Sequence, residues 1–408
     1  MSTTQDARKK FTMAKAQENL YALNVANVIS EVDTSKMGTV YNPYASTASI
    51  SNVAHTSNTY TVGTFAIDAD SLQINRKAIA SEIVGSYDQL SMDLNVIENR
   101  GMEFGAGISQ TIDGYVLNLP VGTAGVTVLD DASFGGSAGN AITVGSGAAD
   151  GIDDIINGAV QEIELNNAYD KKFMVVSSYE ANDLRGFLQS TGNMVADEII
   201  RNGFQSRVRS IGTTFSGVDV YQSNNLTQRI VLGLATQPTA GDTITFAGQT
   251  LTFVATLTGA ANEIKIASTV DITRANLAEW FNGAGALSEA EAADTGYSAS
   301  STEGKAVLSR LGIVATNSNG ANTLTIVTKG VVKVSEVLTD GTDTWATPSR
   351  YLVLGEYGFI NLYLPSAGMD YEEKPVSGTD GVEAFMRQFF NATIWSKKKG
   401  RGVAIWVN

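Results

Sequence analysis

Leu90, Leu94, Ile97, Gly101, Phe104, Ile108, Ile112 and Tyr115 follow one another at spacings of four or three, so all of them fall on one side of an α-helix. The stripe sets the scale of the fold, because about thirty residues of helix make a rod of about 45 Å. Its start is marked by Ser86-Tyr87-Asp88-Gln89, a capping box in which Ser86 accepts from the Gln89 N–H while the Gln89 side chain reaches back. Gly101, Gly105 and Gly107 weaken the rod, each by up to about 1 kcal/mol against alanine. Packing against the rest of the protein has to hold it straight.

Ahead of the rod the chain is built to reach outward. From Met13 to Val32, Tyr21, Val25, Val28 and Val32 recur on one helical face, behind a basic tip of Arg8, Lys9 and Lys10. This arm reads either as a solvated helix or as one that packs on a neighbouring subunit or faces an acidic partner. A Ser/Thr/Asn-rich passage, Thr39 to Thr61, then gives way to alternating Phe65/Ile67 and Leu72/Ile74. An extended, two-stranded excursion of about forty residues needs backbone partners that it cannot find within itself, so it is expected to reach for another surface.

Behind the rod, the sequence from Asn140 to Val176 has the form of a β-α-β unit, with Ile152, Ile156, Ala159 and Ile163 on one helical face and a strand at Phe173 to Val176. Its glycine loop is no dinucleotide site. Gly145 and Gly147 are followed by Asp150 where the third glycine should stand, and the strand ends in Ser177-Ser178 rather than in an acid for the ribose. No phosphate-binding G-x-x-x-x-G-K-[ST] motif occurs either. Ser177-Ser178-Tyr179-Glu180 is a second capping box, opening a helix with Leu184, Phe187 and Leu188, and a strand is expected at Val218 to Tyr221. Arg201, Arg207 and Arg209 lie near Asp197 and Glu198, which favours ion pairing over a phosphate clamp.

Composition removes most chemistry. The 408 residues include no cysteine and a single histidine, His55, so disulfides, thiolate zinc sites and cysteine nucleophiles are removed, and most metal-hydrolase and triad chemistries are excluded or starved of parts. His55 itself, in the polar excursion, reads as a surface or interface residue rather than a ligand. Asp130-Asp131 and Asp153-Asp154 read as caps or turns, because a carboxylate pair for glycoside hydrolysis needs an aromatic-lined cleft beside it. No catalytic, cofactor-binding or metal-binding residue is expected. The formal net charge of −14 argues against a dedicated nucleic-acid binder. Charged residues make up only 17% of the sequence, against about 25% in an average soluble protein, and surfaces buried between subunits are where charge is shed. No run approaches the roughly eighteen apolar residues of a membrane helix, and no signal peptide is visible, so an origin in the cytoplasm and no membrane partner are expected.

Past the middle, "PTAGDTITFAGQTLTFVA" (Pro238 to Ala255) starts a fresh β-hairpin, with Leu251, Phe253, Ala255 and Leu257 on one face. It is followed by Ile264/Ile266, by a helix from Asp271 to Gly283 with Leu277 and Phe281 inward, and by strands Leu311 to Ala315 and Thr323 to Thr328 turned at Asn319-Gly320. Residues 236–345 therefore read as a small inserted α+β domain with its own core and with its ends close together.

Taken in order, these parts resemble the major capsid proteins of tailed bacteriophages. The resemblance lies in the arm, the excursion, the rod, and two segments: "MVVSSYEANDL" (Met174 to Leu184) and "SGVDVYQSNNL" (Ser216 to Leu226). It returns over the last sixty residues, in "GEYGFINLYLP" and "GVEAFMRQFFNATIWSKKKGRGVAIWVN". The resemblance implies an α+β, Hong Kong 97-type capsid fold: N-terminal arm 1–37, extended loop 38–85, spine helix and peripheral domain 86–135, axial domain 136–235, inserted domain 236–345, and returning strands 346–408. It implies a shell of hexamers and pentamers around double-stranded DNA, with packaged DNA touched only non-specifically at the inner face, a portal, a separate scaffolding protein and possible decoration proteins. A separate scaffold, or none, follows from an arm that begins within thirty residues of Met1. No lysine lies between Lys36 and Lys77, so covalent crosslinking through the loop has no amine. Lys397, Lys398, Lys399 and Arg401 read as a solvated basic turn rather than a DNA contact. An encapsulin-like compartment shell is the alternative within the fold; a β-rich carbohydrate-binding or carbohydrate-active protein is the alternative outside it.

Overall fold

The computed structural model describes residues 22–29, 38–46, 55–56, 59, 62, 65–85, 94–144, 151–190, 210–215, 217–292, 294–365, 369–375 and 381–408. The capping box at Ser86, the glycine loop with Gly145, Gly147 and Asp150, the acids Asp197 and Glu198, the arginines Arg201, Arg207 and Arg209, and the basic tip of the arm lie outside them. In order along the sequence the elements are β1 (Asn27–Ile29), β2 (Thr39–Ala45), β3 (Ile67–Gln73), β4 (Arg76–Gly85), α1 (Leu94–Val116), β5 (Thr127–Leu129), α2 (Ile152–Leu165), β6 (Lys172–Val176), α3 (Ser178–Ser190), β7 (Ser210–Phe215), β8 (Val218–Gln222) and β9 (Gln228–Gly233). They continue with β10 (Thr243–Phe246), β11 (Gln249–Val254), β12 (Glu263–Lys265), α4 (Val270–Asn282), α5 (Thr302–Ser309), β13 (Val314–Ser318), β14 (Thr323–Thr328), β15 (Val334–Val337), β16 (Ser349–Glu356), β17 (Asn361–Tyr363), β18 (Met369–Pro375), β19 (Gly381–Thr393) and β20 (Gly402–Val407).

These residues pack as two compact units. The first takes residues 22–108 and 357–400, the second residues 109–356 and 401–408, so the backbone passes from one to the other inside α1.

In the first unit the long strand β19 is the spine of a sheet. It pairs antiparallel with β4 over ten positions, from Gly381↔Gly85 to Phe390↔Arg76, and with β18 and β17. The arm does not continue as a helix. It stops at Val25, and β1 runs parallel to β17, with Val28 opposite Leu362. The β-branched Val28 and Ile29 suit a pleated strand better than a helix, which explains the difference from the helical spacing. The excursion is an antiparallel hairpin, β2 on β3, registered from Thr39↔Gln73 to Ala45↔Ile67.

The second unit is organised by β16. One edge of β16 pairs with β20; the other is shared, with β6 along Val353 to Glu356 and β9 at Ser349 and Arg350. From there the sheet extends through β8 and β7 on one side and through β14 and β13 on the other, and β5 pairs with β20. The expected inward face of α2 is buried in full: Ile152, Ile156, Ala159 and Ile163, joined by Ile155 and Val160. The β-α-β unit is one element later than expected. Among the described residues from Asn140 to the start of α2 a single bridge, Ile142↔Val407, forms, whereas β6 and β8 are parallel neighbours with α3 and β7 between them in the sequence. Strand β6 is buried at every position, as parallel strands covered on both faces are. On α1, Ile108 and Ile112 of the stripe are buried. Gly114 of the same helix leaves room for the Lys329 carbonyl, which a Cβ there would meet at 3.3 Å.

The hairpin past the middle forms where the sequence places it, β10 on β11, with Ala247 and Gly248 as its two turn residues. Their φ values of 51° and 78° are the positive pair that a tight hairpin of this kind demands. Strand β12 adds parallel to β11 and β15 antiparallel to β10. Helix α4, capped by Thr269, packs Leu277, Trp280 and Phe281 onto Phe246, Leu251, Phe253 and Ile264, with Phe246 edge-on to Phe281 at 4.9 Å. The same core takes in Ile230, Leu232 and Leu234, and β14 pairs with all six residues of β9. The two ends of the segment lie side by side. Gly233 N–H donates to Thr344 O at 2.9 Å, Ala346 N–H to Val231 O at 2.8 Å, and the Asp343 carboxylate accepts from the N–H groups of Ala235 and Thr236.

Candidate assembly surfaces and a motif junction

Alternation along the β2–β3 hairpin sorts its residues onto two faces. Val40, Tyr44 and Leu72 point to one face, where Val40 and Leu72 pack on a cluster of Ile74, Tyr363 and Trp395. Tyr41, Pro43, Ala45, Ile67 and Ala69 share the other, and every one of them is exposed. Tyr41 and Ile67 expose 68% and 70% of their surface, and Phe65, at the same parity just before β3, exposes 74%. The hairpin is nonetheless fastened at its base. Asp70 accepts from both the N–H and the hydroxyl of Ser396 at 2.8 Å, and Asn391 Nδ2 donates to Gln73 O at 2.6 Å. A second exposed apolar pair, Ile79 and Ile83, stands on β4.

In the second unit the two motif segments meet. Asn224 Oδ1 accepts from the Ser178 hydroxyl at 2.7 Å and from the Ser178 N–H at 3.1 Å, while Gln222 Nε2 donates to Ser178 Oγ at 3.0 Å. The capping box holds as expected in one half: the Glu180 carboxylate reaches back to the Ser177 N–H at 3.1 Å. The other oxygen of Glu180 accepts from Arg350 Nε at 2.7 Å, and the Arg350 guanidinium lies 4.6 Å from the Tyr179 ring centroid. These groups border a cleft of about 750 Å³, lined also by Asn182, Asp183 and Arg185. Glu180 is wholly buried and matched to its cation, an arrangement that fastens segments. Nothing in the local spacing of Arg350 points to this junction; the capping box at Ser177 and the polar "SNNL" are its visible traces.

The remaining sequence candidates fall apart as sites. His55 is exposed, far along the excursion. Asp130 Oδ2 accepts from the Gly139 N–H, and Asp131 Oδ2 from the Ser137 N–H, each at 2.8 Å, so this acid pair closes a loop. The Gly139 N–H is the main reason that the Asp130 carboxyl lies below its ordinary range. Asp153 and Asp154 occupy the first turn of α2, where acids suit the helix dipole. In the basic turn, Lys398 Nζ donates to Gly358 O at 2.5 Å, Lys397 stands 5.6 Å from the Tyr44 ring centroid, and Arg401 pairs with Glu356 at 2.9 Å. Among the described residues no group of three or more His, Cys, Asp or Glu is placed to hold a metal ion, and no helix is long and apolar enough to cross a membrane.

No family model matches the sequence, and no curated protein does. Solved structures do. The protein is similar to phage capsid structures over almost its whole length. To Mycobacterium phage Che8 it is 11% identical, with 93% of this chain and 88% of that one covered at a TM-score of 0.48. To the capsid of Ralstonia phage GP4 it is 9% identical, with 96% and 87% covered at 0.47. To a virus-like particle from Pyrococcus furiosus it is 6% identical, with 98% of both chains covered at 0.44.

Proposed function

We propose that this chain is the major capsid protein of a tailed double-stranded DNA bacteriophage, assembling as hexamers and pentamers into an icosahedral shell. One observation carries the reading: a long hairpin is fastened at its base and leaves one face, with the apolar Tyr41, Pro43, Ala45, Ile67 and Ala69 beside Thr39, Ser71 and Gln73, uncovered within its own subunit. A two-stranded hairpin is marginal by itself in water, and contiguous exposed apolar surface marks an association site. The low charge density of the sequence supports the same reading. Its role is architectural, and DNA meets the inner surface without sequence recognition; scaffold, portal and decoration proteins are the remaining expected partners. Residues 236–345 act as an accessory domain on the outer face, since a segment whose two ends lie side by side can project without interrupting the shell.

Analytical ultracentrifugation and electron microscopy of the purified protein test this. Hexamers, pentamers or closed shells are expected, burying several thousand Å² per subunit, at the upper end of about 2,000–5,000 Å² for permanent complexes. A stable monomer at high concentration, with and without the scaffold, overturns the reading. Shells that enclose a protein cargo in place of nucleic acid move it to the encapsulin-like alternative.

A further inference from the structure

The sequence holds four Asn-Gly pairs, at Asn157, Asn202, Asn282 and Asn319. In such a pair the glycine nitrogen can attack the amide carbon of the preceding asparagine, because glycine has no Cβ to obstruct the approach. A five-membered succinimide forms as the bond between that carbon and the amide nitrogen breaks. The glycine N–H proton leaves with the amide as ammonia, and water then opens the ring to an aspartyl or isoaspartyl residue. Two things permit the step in a folded protein. The glycine N–H must be free of a hydrogen bond, and the asparagine amide must be free to fold back over the next peptide.

The fold grants both conditions unequally. Asn157-Gly158 lies inside α2, where the Gly158 N–H belongs to the helix ladder. Asn282 is clamped: its amide donates to Ala315 O at 3.0 Å and accepts from Ala315 N–H at 2.8 Å, while the Gly283 N–H is held by Glu279 O at 2.9 Å. Asn202 is outside the described residues. Asn319 is different. It opens the four-residue loop between the paired residues Ser318 and Thr323, and both Asn319 and Gly320 are exposed. Neither its amide nor the Gly320 N–H has a hydrogen-bond partner among the described residues.

We propose that Asn319 is a site of spontaneous deamidation, an intramolecular cyclisation completed by water. Each event replaces a neutral amide with a carboxyl group, and the isoaspartyl product adds a backbone carbon to a loop that has to bring Ser318 and Thr323 into register. Nothing in the protein reverses it, so the change accumulates with age. The inference is independent of the shell reading.

The test incubates the intact, full-length protein at mildly alkaline pH in heavy-oxygen water and follows the peptides by mass spectrometry. Conversion at Asn319 should outrun that at Asn157 and Asn282 by about tenfold or more, the factor that a local opening costing roughly 1.4 kcal/mol imposes on the protected pairs. In strong denaturant Asn157 and Asn282 should draw level. Gly320→Ala has open space for its Cβ and should keep the fold while slowing conversion at Asn319. Equal rates at the three sites in the folded protein, a ranking that persists in denaturant, or an unchanged rate in Gly320→Ala each overturn the proposal.

Discussion

Arg350 and Glu180 stand 170 residues apart in the sequence, yet their side chains meet at 2.7 Å with the carboxylate fully buried. This pair ties β16, where the backbone returns from its accessory segment, to the first turn of α3. Both ends are further secured, Glu180 by Ser177 and Arg350 by Pro348 O and the Tyr179 ring.

Removing one partner leaves an uncompensated buried charge. Arg350→Ala is expected to lower the unfolding free energy by about 3–5 kcal/mol. The double change Glu180→Leu with Arg350→Met should recover much of that loss, because a buried ion pair and a well-packed apolar pair are often near equal. Denaturant titration of the subunit measures both; a loss below about 1 kcal/mol, the range of exposed pairs, would show that the pair is hydrated.

Within the accessory segment, Asp242 accepts from Thr339 Oγ1 at 2.7 Å, Thr339 N–H at 3.1 Å and Thr239 N–H at 2.8 Å. Burial alone would raise this carboxyl, but the hydrogen bonds from Thr339 and Thr239 outweigh it and hold the group below its usual range. A depressed carboxylate stabilises the fold above its unfolded-state range, and that contribution is lost as pH falls through the folded one. Asp242→Asn should therefore lower the melting temperature at neutral pH, by the equivalent of about 1–3 kcal/mol. The gap to the parent should close on acidification; a gap independent of pH would refute the assignment.

The apolar core of the accessory segment begins at Ile230, not at Thr236. A fragment of residues 227–347 is expected to unfold cooperatively on heating as a separate protein. A fragment of residues 236–345 lacks Ile230, Leu232 and Leu234 and the strand that pairs with all of β14, and should not. Calorimetry of the two decides; equal behaviour would mean that β9 belongs to the sheet alone.

Phe65→Ser and Ile67→Ser alter only exposed positions, so subunit stability should change by no more than about 0.5 kcal/mol. Their effect should appear in association: the assembled fraction in sedimentation should drop severalfold while the melting profile of the subunit holds. Normal assembly by the double variant would remove the hairpin face from the interface.

What can be read along the sequence is what neighbours decide. The Ala247-Gly248 turn, the buried face of α2 and the inward Leu277 and Phe281 all follow from periodicity or from glycine placed where φ is positive. Contacts between distant residues leave no such mark. The Ser396 clasp on Asp70 spans 326 residues, and the β1–β17 pairing, which ends the arm helix at Val25, depends on a strand more than 300 positions away. The recruitment of β9 into the core of the accessory segment is hidden for a related reason: its buried Ile230 and Leu232 alternate as any sheet strand would. Of the junction at Glu180, the capping half is visible and the arginine is not.

The shared edge of β16 also defines a load path. Tension on residues 236–345 reaches the sheet through the backbone that runs from Trp345 into Ser349 of β16 and through β9, which grips β16 at two residue pairs, whereas β20 grips the opposite edge of β16 at six pairs and β6 holds four more. Separating β9 from β16 therefore breaks two ladder pairs and leaves β6, β16 and β20 joined. The β9 side is thus the more weakly laddered edge of β16, and the buried arginine is itself one of the two β16 residues that hold it.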